Sequence, residues 1–100
     1  MNFGLKQEIL NQITQVFKKY LNIKEVYIYG SRARGNFKKT SDIDLAVVFS
    51  NAESKIANLK WDLEELDIIY KIDVLDYQKI QNKDLKEQID LCKKQIYSKI

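Results

Sequence analysis

Six consecutive residues, Gly30-Ser31-Arg32-Ala33-Arg34-Gly35, constrain the fold of this chain more than any other segment. Proline is absent and the 100 residues hold only three glycines, two of which bracket this segment. They mark two of the few places where the backbone can turn without steric cost. Both arginines also fall inside it, against fifteen lysines elsewhere. Upstream, Glu25–Tyr29 is β-branched and aromatic and stops at Gly30, which reads as a strand ending in a turn. Downstream, Asp42–Phe49 has a nearly continuous apolar middle, Leu45-Ala46-Val47-Val48, as buried strands have. A chain of this size has room for one modest core, so both strands must share it.

The remaining elements follow from periodicity. Ile9, Leu10, Ile13, Val16, Phe17, Tyr20 and Leu21 recur at helical spacing and predict an amphipathic helix over about residues 4–22. Ser50 and Glu53 form a capping-box pattern ahead of Ile56, Leu59, Leu63 and Leu66, which predicts a helix near 52–66. Ile68–Leu75 reads as a third strand. Asn82 is placed to cap a last helix with Leu85, Ile89, Cys92 and Ile96 on one face. The expected architecture is a single α/β domain over 1–100, a small mixed sheet with helices packed on it in the order α-β-β-α-β-α.

Composition excludes several chemistries. Histidine is absent, which removes Ser-His-Asp triads, histidine bases and histidine metal sites. One cysteine permits neither an internal disulfide nor a cysteine zinc cluster and suits a reducing cytoplasm. Met1–Leu10 has no signal-peptide pattern, and no apolar run approaches a membrane span. A net charge of +3 permits a polyanionic partner without requiring one.

The residues that carry chemistry surround the two strands. Gly30 lets a bulky ligand approach the backbone, and a short helical turn after Ser31 would aim N–H groups at an anion. Asp42 and Asp44 are two apart on a strand, so their side chains share a face. Paired carboxylates are costly unless a cation lies between them, and Mg²⁺ prefers one or two carboxylates plus substrate phosphates. Asp73 stands in an otherwise apolar strand, where an acid is rarely placed for burial alone. It could complete a two-metal site and, with no histidine present, act as general base for an incoming hydroxyl. A phosphate cradle beside such carboxylates is the equipment of phosphoryl or nucleotidyl transfer.

Gly30-Ser31, the spacer to Gly35, Ser41-Asp42-Ile43-Asp44-Leu45 and the later Asp73 together resemble the DNA polymerase β-like nucleotidyltransferase superfamily. The size and the Gly30–Gly35 stretch point to its minimal (MNT) branch, and Ile89 and Ile96-Tyr97 resemble that branch's closing helix and its ending. Lys93 stands where the branch commonly has glycine. The resemblance implies that Asp42, Asp44 and Asp73 bind two Mg²⁺ and that Gly30 and Ser31 hold the β- and γ-phosphates of a nucleoside triphosphate. It further implies a helical HEPN-domain toxin as partner, with the chain as antitoxin transferring AMP from ATP to a tyrosine of that toxin. No nucleic acid or membrane partner is expected.

Other residues have plainer readings beside the functional ones. Of Arg32 and Arg34, one is expected to contact phosphate or a partner carboxylate and the other to be structural. Asp76, three residues after Asp73, faces the other side of its strand. Cys92 reads as core, Lys38-Lys39 as a solvated loop, and Tyr27 and Tyr29 as an aromatic strand face under the first or last helix. Trp61 fits a partner interface or a partly buried core position equally. Three rivals remain: nucleotidyl transfer to a small molecule at a subunit interface, neutralisation of a toxin by binding alone, and a nucleic-acid binder, which the modest charge disfavours.

Overall fold

The strands that the apolar pattern marks are the centre of the structure. The computed structural model describes residues 2–99. In chain order it contains α1 (Gln7–Phe17), β1 (Ile23–Tyr29), the single turn α2 (Ser31–Arg34), β2 (Ile43–Phe49), α3 (Ile56–Glu64), β3 (Ile72–Asp76), a 3-10 turn (Tyr77–Lys79), α4 (Lys83–Cys92) and β4 (Lys94–Ser98). The sheet order is β3-β2-β1-β4. β1 runs antiparallel to β2 and β4. β2 and β3 are parallel, with α3 in the crossover that such a pair requires.

Alternation sorts the strand side chains between two faces. Val26 and Ile28 of β1 and Ile43, Leu45, Val47 and Phe49 of β2 are buried in one cluster with Leu10, Ile13, Val16 and Phe17 of α1 and Leu59 and Leu63 of α3. Each of these side chains stabilises the fold by roughly 1.5–3 kcal/mol when taken from water. The opposite face carries Tyr27, Tyr29, Asp44 and Ala46. The end of α4 lies over it, with Lys93 Nζ 5.1 Å from the Tyr27 ring centroid. The aromatic strand face therefore lies under the last helix, and Cys92 is buried as a core residue.

Four boundaries differ from the sequence reading. α1 begins at Gln7 because Phe3 and Gly4 adopt positive φ (60° and 73°), and it ends at Phe17, after which Tyr20 N–H bonds the Phe17 carbonyl at 3.0 Å in a turn. The Ser50–Glu53 capping box does not form. Ser50 Oγ donates to the Asn22 carbonyl at 3.3 Å, Asn22 Nδ2 donates to the Glu53 carbonyl at 2.6 Å, and Glu53 pairs with Lys55 at 2.9 Å. These contacts hold the segment as a loop, so α3 starts only at Ile56. The third strand starts at Ile72, after a turn that leaves Ile69 exposed. The predicted final helix stops at Cys92, and Ile96 lies in a fourth strand. Asn82 does cap α4, its Oδ1 accepting the Leu85 N–H at 3.1 Å.

Candidate active site

The site begins where β1 ends. Gly30 has φ 76° and ψ −155°, a conformation essentially reserved for glycine. The chain then makes one helical turn, with Arg34 N–H bonding the Gly30 carbonyl at 3.1 Å and Gly35 N–H the Ser31 carbonyl at 2.9 Å. Gly35 closes that turn in the left-handed region at φ 91°. Sheet register then brings the acids to this point. Tyr29 pairs with Asp44 across β1 and β2, and Asp44 pairs with Asp73 across β2 and β3. Asp42 is exposed one residue ahead of β2.

Gly30 and Asp44 are fitted to each other. A Cβ added to Gly30 would stand 2.6 Å from Asp44 Oδ2, so the carboxylate occupies the room the glycine leaves. Asp44 is half-buried, and its pKa is raised above the ordinary carboxylate value by burial first, then by the charges of Asp73 and Asp42. Lys71 and Arg34 pull it back in part. Asp42 and Asp73 are therefore both near enough to act on Asp44. Lys71 Nζ lies 3.8 Å from Asp73 Oδ1, an ion pair open to water. Asp76 is set apart, its Oδ1 accepting the Gln78 N–H at 3.1 Å.

One neighbour, Tyr29, lies outside the residues that the sequence assigns to the site. Tyr29 is pushed up to about 12 by burial and by the charges of Asp44 and Asp73, so it stays protonated beside the acids. The only sequence signal was its place immediately before Gly30 on an aromatic strand face. Of the two arginines, Arg32 is the structural one and does not serve as a nucleotide contact: it is 1% exposed and its guanidinium is committed to backbone carbonyls of Phe3, Lys39 and Ser41. Arg34 is the exposed arginine of the pair and lies near enough to influence Asp44. Trp61 is 65% exposed, which removes the core reading for it. A cavity of about 240 Å³ opens between α3 and β3 beside Asp73, lined by Leu63, Leu66, Ile68 and Tyr70 with Lys60 and Lys71.

Among the described residues, no group of three or more Cys, Asp or Glu side chains is arranged to hold a metal ion by itself. The donor chemistry still fits Mg²⁺, which is bound through one or two carboxylates with substrate phosphates supplying further oxygens. Burial first and the neighbouring carboxylates second raise Asp44, and a bound cation would offset both. Among the described residues no helix is long and apolar enough to cross a membrane.

Comparison with known proteins agrees with this fold. A family model described as "Polymerase beta, Nucleotidyltransferase" matches residues 11–100. A protein of Methanocaldococcus jannaschii named as a protein adenylyltransferase is 36% identical over 90 residues, covering 84% of this chain and 95% of the relative. A crystal structure of a toxin-antitoxin with AMP-PNP superposes with a TM-score of 0.68 at 25% identity, covering 90% of this chain and 73% of that one. A structure of a tri-AMPylated Shewanella oneidensis HEPN toxin in complex with MNT antitoxin gives the same TM-score at 23% identity, covering 95% and 74%; that likeness shows the shared fold.

Proposed function

Because the chain belongs to the polymerase β nucleotidyltransferase family, we propose that it transfers AMP from ATP to a tyrosine hydroxyl of a HEPN-type toxin and is that toxin's antitoxin. The acceptor oxygen attacks the α-phosphorus, the bond to the bridging oxygen breaks, pyrophosphate leaves, and the hydroxyl proton passes to a base. Asp73 is that base: it stands on β3 beside Asp44, and the chain has no histidine to serve instead. Asp42 and Asp44 would hold the metal with the triphosphate, and Asp73 would join them for a second ion. Bound Mg²⁺ supplies neutralisation of the charge that develops on the phosphates. Gly30 and Ser31 would hold the β- and γ-phosphates, with the Ser31 hydroxyl and the N–H groups that open the turn as donors, while the room beside Gly30 is taken by Asp44. Arg34, exposed near Asp44, adds a mobile positive charge beside the anions.

The observation that carries this reading is the fit of Asp44 against Gly30, with Asp42 and Asp73 raising its pKa. A carboxylate held against repulsion next to a glycine turn is costly for stability and useful for binding a metal-bound polyphosphate. The named activity of the M. jannaschii relative and the toxin-antitoxin assembly with AMP-PNP support the acceptor class. A cytoplasmic setting fits the lone free thiol of Cys92.

The test is intact-mass spectrometry of the HEPN partner co-expressed with the chain. The partner is expected to gain the mass of one or more AMP groups with wild type and none with the Asp42→Asn, Asp44→Asn double variant. A partner neutralised without any mass change would replace catalysis with inhibition by binding. Mass gain on a small acceptor alone would move the acceptor class.

A further inference from the structure

Arg32 is a buried charge that the transfer chemistry does not use. Its Nε and Nη2 donate to the Ser41 carbonyl at 3.1 and 2.9 Å, Nη1 donates to the Phe3 carbonyl at 3.0 Å, and Nη2 also reaches the Lys39 carbonyl at 3.4 Å. The guanidinium carbon lies 4.6 Å from the Tyr70 ring centroid and 5.3 Å from that of Phe37. Among the described residues no carboxylate is within ion-pairing distance of it. Carbonyl dipoles and ring faces alone satisfy the cation.

Two of the partners, Ser41 and Tyr70, adjoin residues of the site. Arg32 itself follows Ser31 in the glycine turn. Ser41 immediately precedes Asp42. Tyr70 immediately precedes Lys71, whose carbonyl accepts the Ile43 N–H at 2.9 Å and whose ammonium faces Asp73. Phe3 presents its carbonyl from a left-handed backbone conformation (φ 60°), which a non-glycine residue keeps only where its surroundings hold it. The three segments that carry the phosphate turn and the acids thus meet on one planar, five-donor group. Lysine offers a single rotating ammonium and cannot replace that fork.

We infer that Arg32 is a positioning residue: its guanidinium sets the spacing between the Gly30–Gly35 turn, Asp42 and the strand bearing Asp73, without touching the nucleotide. The inference rests on the proposed function for what that spacing serves. The spacing itself can be measured without it.

The test uses the full chain with its partner, as wild type, Arg32→Lys and Tyr70→Leu. AMP transfer is measured per folded molecule, and amide hydrogen exchange is followed at Arg34, Gly35 and Ile43, with Ile28 in β1 as control. Arg32→Lys is expected to lower kcat about 30-fold or more while the KM for ATP moves less than about threefold, because misplaced groups lose rate before affinity. Exchange at Arg34, Gly35 and Ile43 is expected to quicken while Ile28 stays protected. Tyr70→Leu is expected to show the same pattern more weakly, and it carries both readouts if Arg32→Lys does not fold. An unchanged kcat per folded molecule, or exchange that quickens equally at Ile28, would overturn the inference and leave Arg32 a general stabiliser. If wild type transfers no AMP, the proposed function fails and the exchange pattern alone decides the role of Arg32.

Discussion

Replacing Gly30 with alanine should damage stability and chemistry together, whereas the same change at Gly35 should damage stability alone. At Gly30, φ 76° and ψ −155° lie in a region almost closed to alanine, a strain of about 1–3 kcal/mol. The new Cβ would also meet Asp44 Oδ2 at 2.6 Å. Asp44 can yield only by leaving its rotamer, at about 0.5–1.5 kcal/mol. The sum, about 2–4 kcal/mol, is a large part of the 5–15 kcal/mol typical of a whole domain. It corresponds to a fall in Tm of roughly 10–30 °C. Gly35 has φ 91° but nothing within 4 Å of an added Cβ, so only strain of about 1–2 kcal/mol applies there. The assay is thermal unfolding of both variants, followed by AMP transfer from α-labelled ATP at a temperature where each is folded. Gly30→Ala should lose about 100-fold in turnover per folded molecule, as expected for a carboxylate moved by about 1 Å. Gly35→Ala should keep wild-type turnover. Near-wild-type turnover by folded Gly30→Ala, or an equal loss in Gly35→Ala, would refute the reasoning.

Further outcomes follow from other contacts. Asp44→Asn should raise Tm at neutral pH while lowering AMP transfer by about 100-fold or more; because the folded-state pKa of Asp44 is raised, its contribution is favourable only at low pH and turns to a penalty as pH rises through that pKa, so the gain in Tm should vanish in acid. Tyr20 donates to Asp62 Oδ2 at 2.5 Å and is pushed up to about 12, chiefly by burial and then by that bond. Its contribution is complete below pH 10 and is lost between about 10 and 12, so chemical denaturation should show a fall in wild-type stability there that is smaller in Tyr20→Phe, where Tyr29 still titrates, the variant being weaker by about 1 kcal/mol at neutral pH. Asn82→Ala removes the cap of α4 and should cost about 1 kcal/mol, read as a Tm lower by about 4–8 °C.

The sequence was most readable where local pattern and tertiary structure agree. The β-branched run before Gly30 and the apolar run after Asp42 became β1 and β2, and the Asp44–Asp73 juxtaposition needed only those strands plus a parallel neighbour. The fourth strand was hidden because Leu85, Ile89, Cys92 and Ile96 keep helical spacing with no glycine or proline to interrupt them. Helix propensity is weak, and pairing with the open edge of β1 decided the matter: Lys93 takes an extended conformation and Val26 pairs with Tyr97. The Ser50–Glu53 pattern failed for a related reason, since contacts with Asn22, distant in sequence, hold those residues as a loop. Sequence divides Arg32 and Arg34 into one structural and one functional residue, but which is the structural one depends on a carbonyl from the N-terminal segment, beyond any local spacing.

Nucleotidyl transfer by the three-carboxylate site is tested most directly by label position. The chain, Mg²⁺ and the proposed HEPN partner are incubated in parallel with ATP labelled at the α- or the γ-phosphate, beside the Asp42→Asn, Asp44→Asn variant. The account predicts label on the partner from the α-position only, and none with the variant. Label from the γ-position, or α-label transferred equally well by the variant, would contradict it.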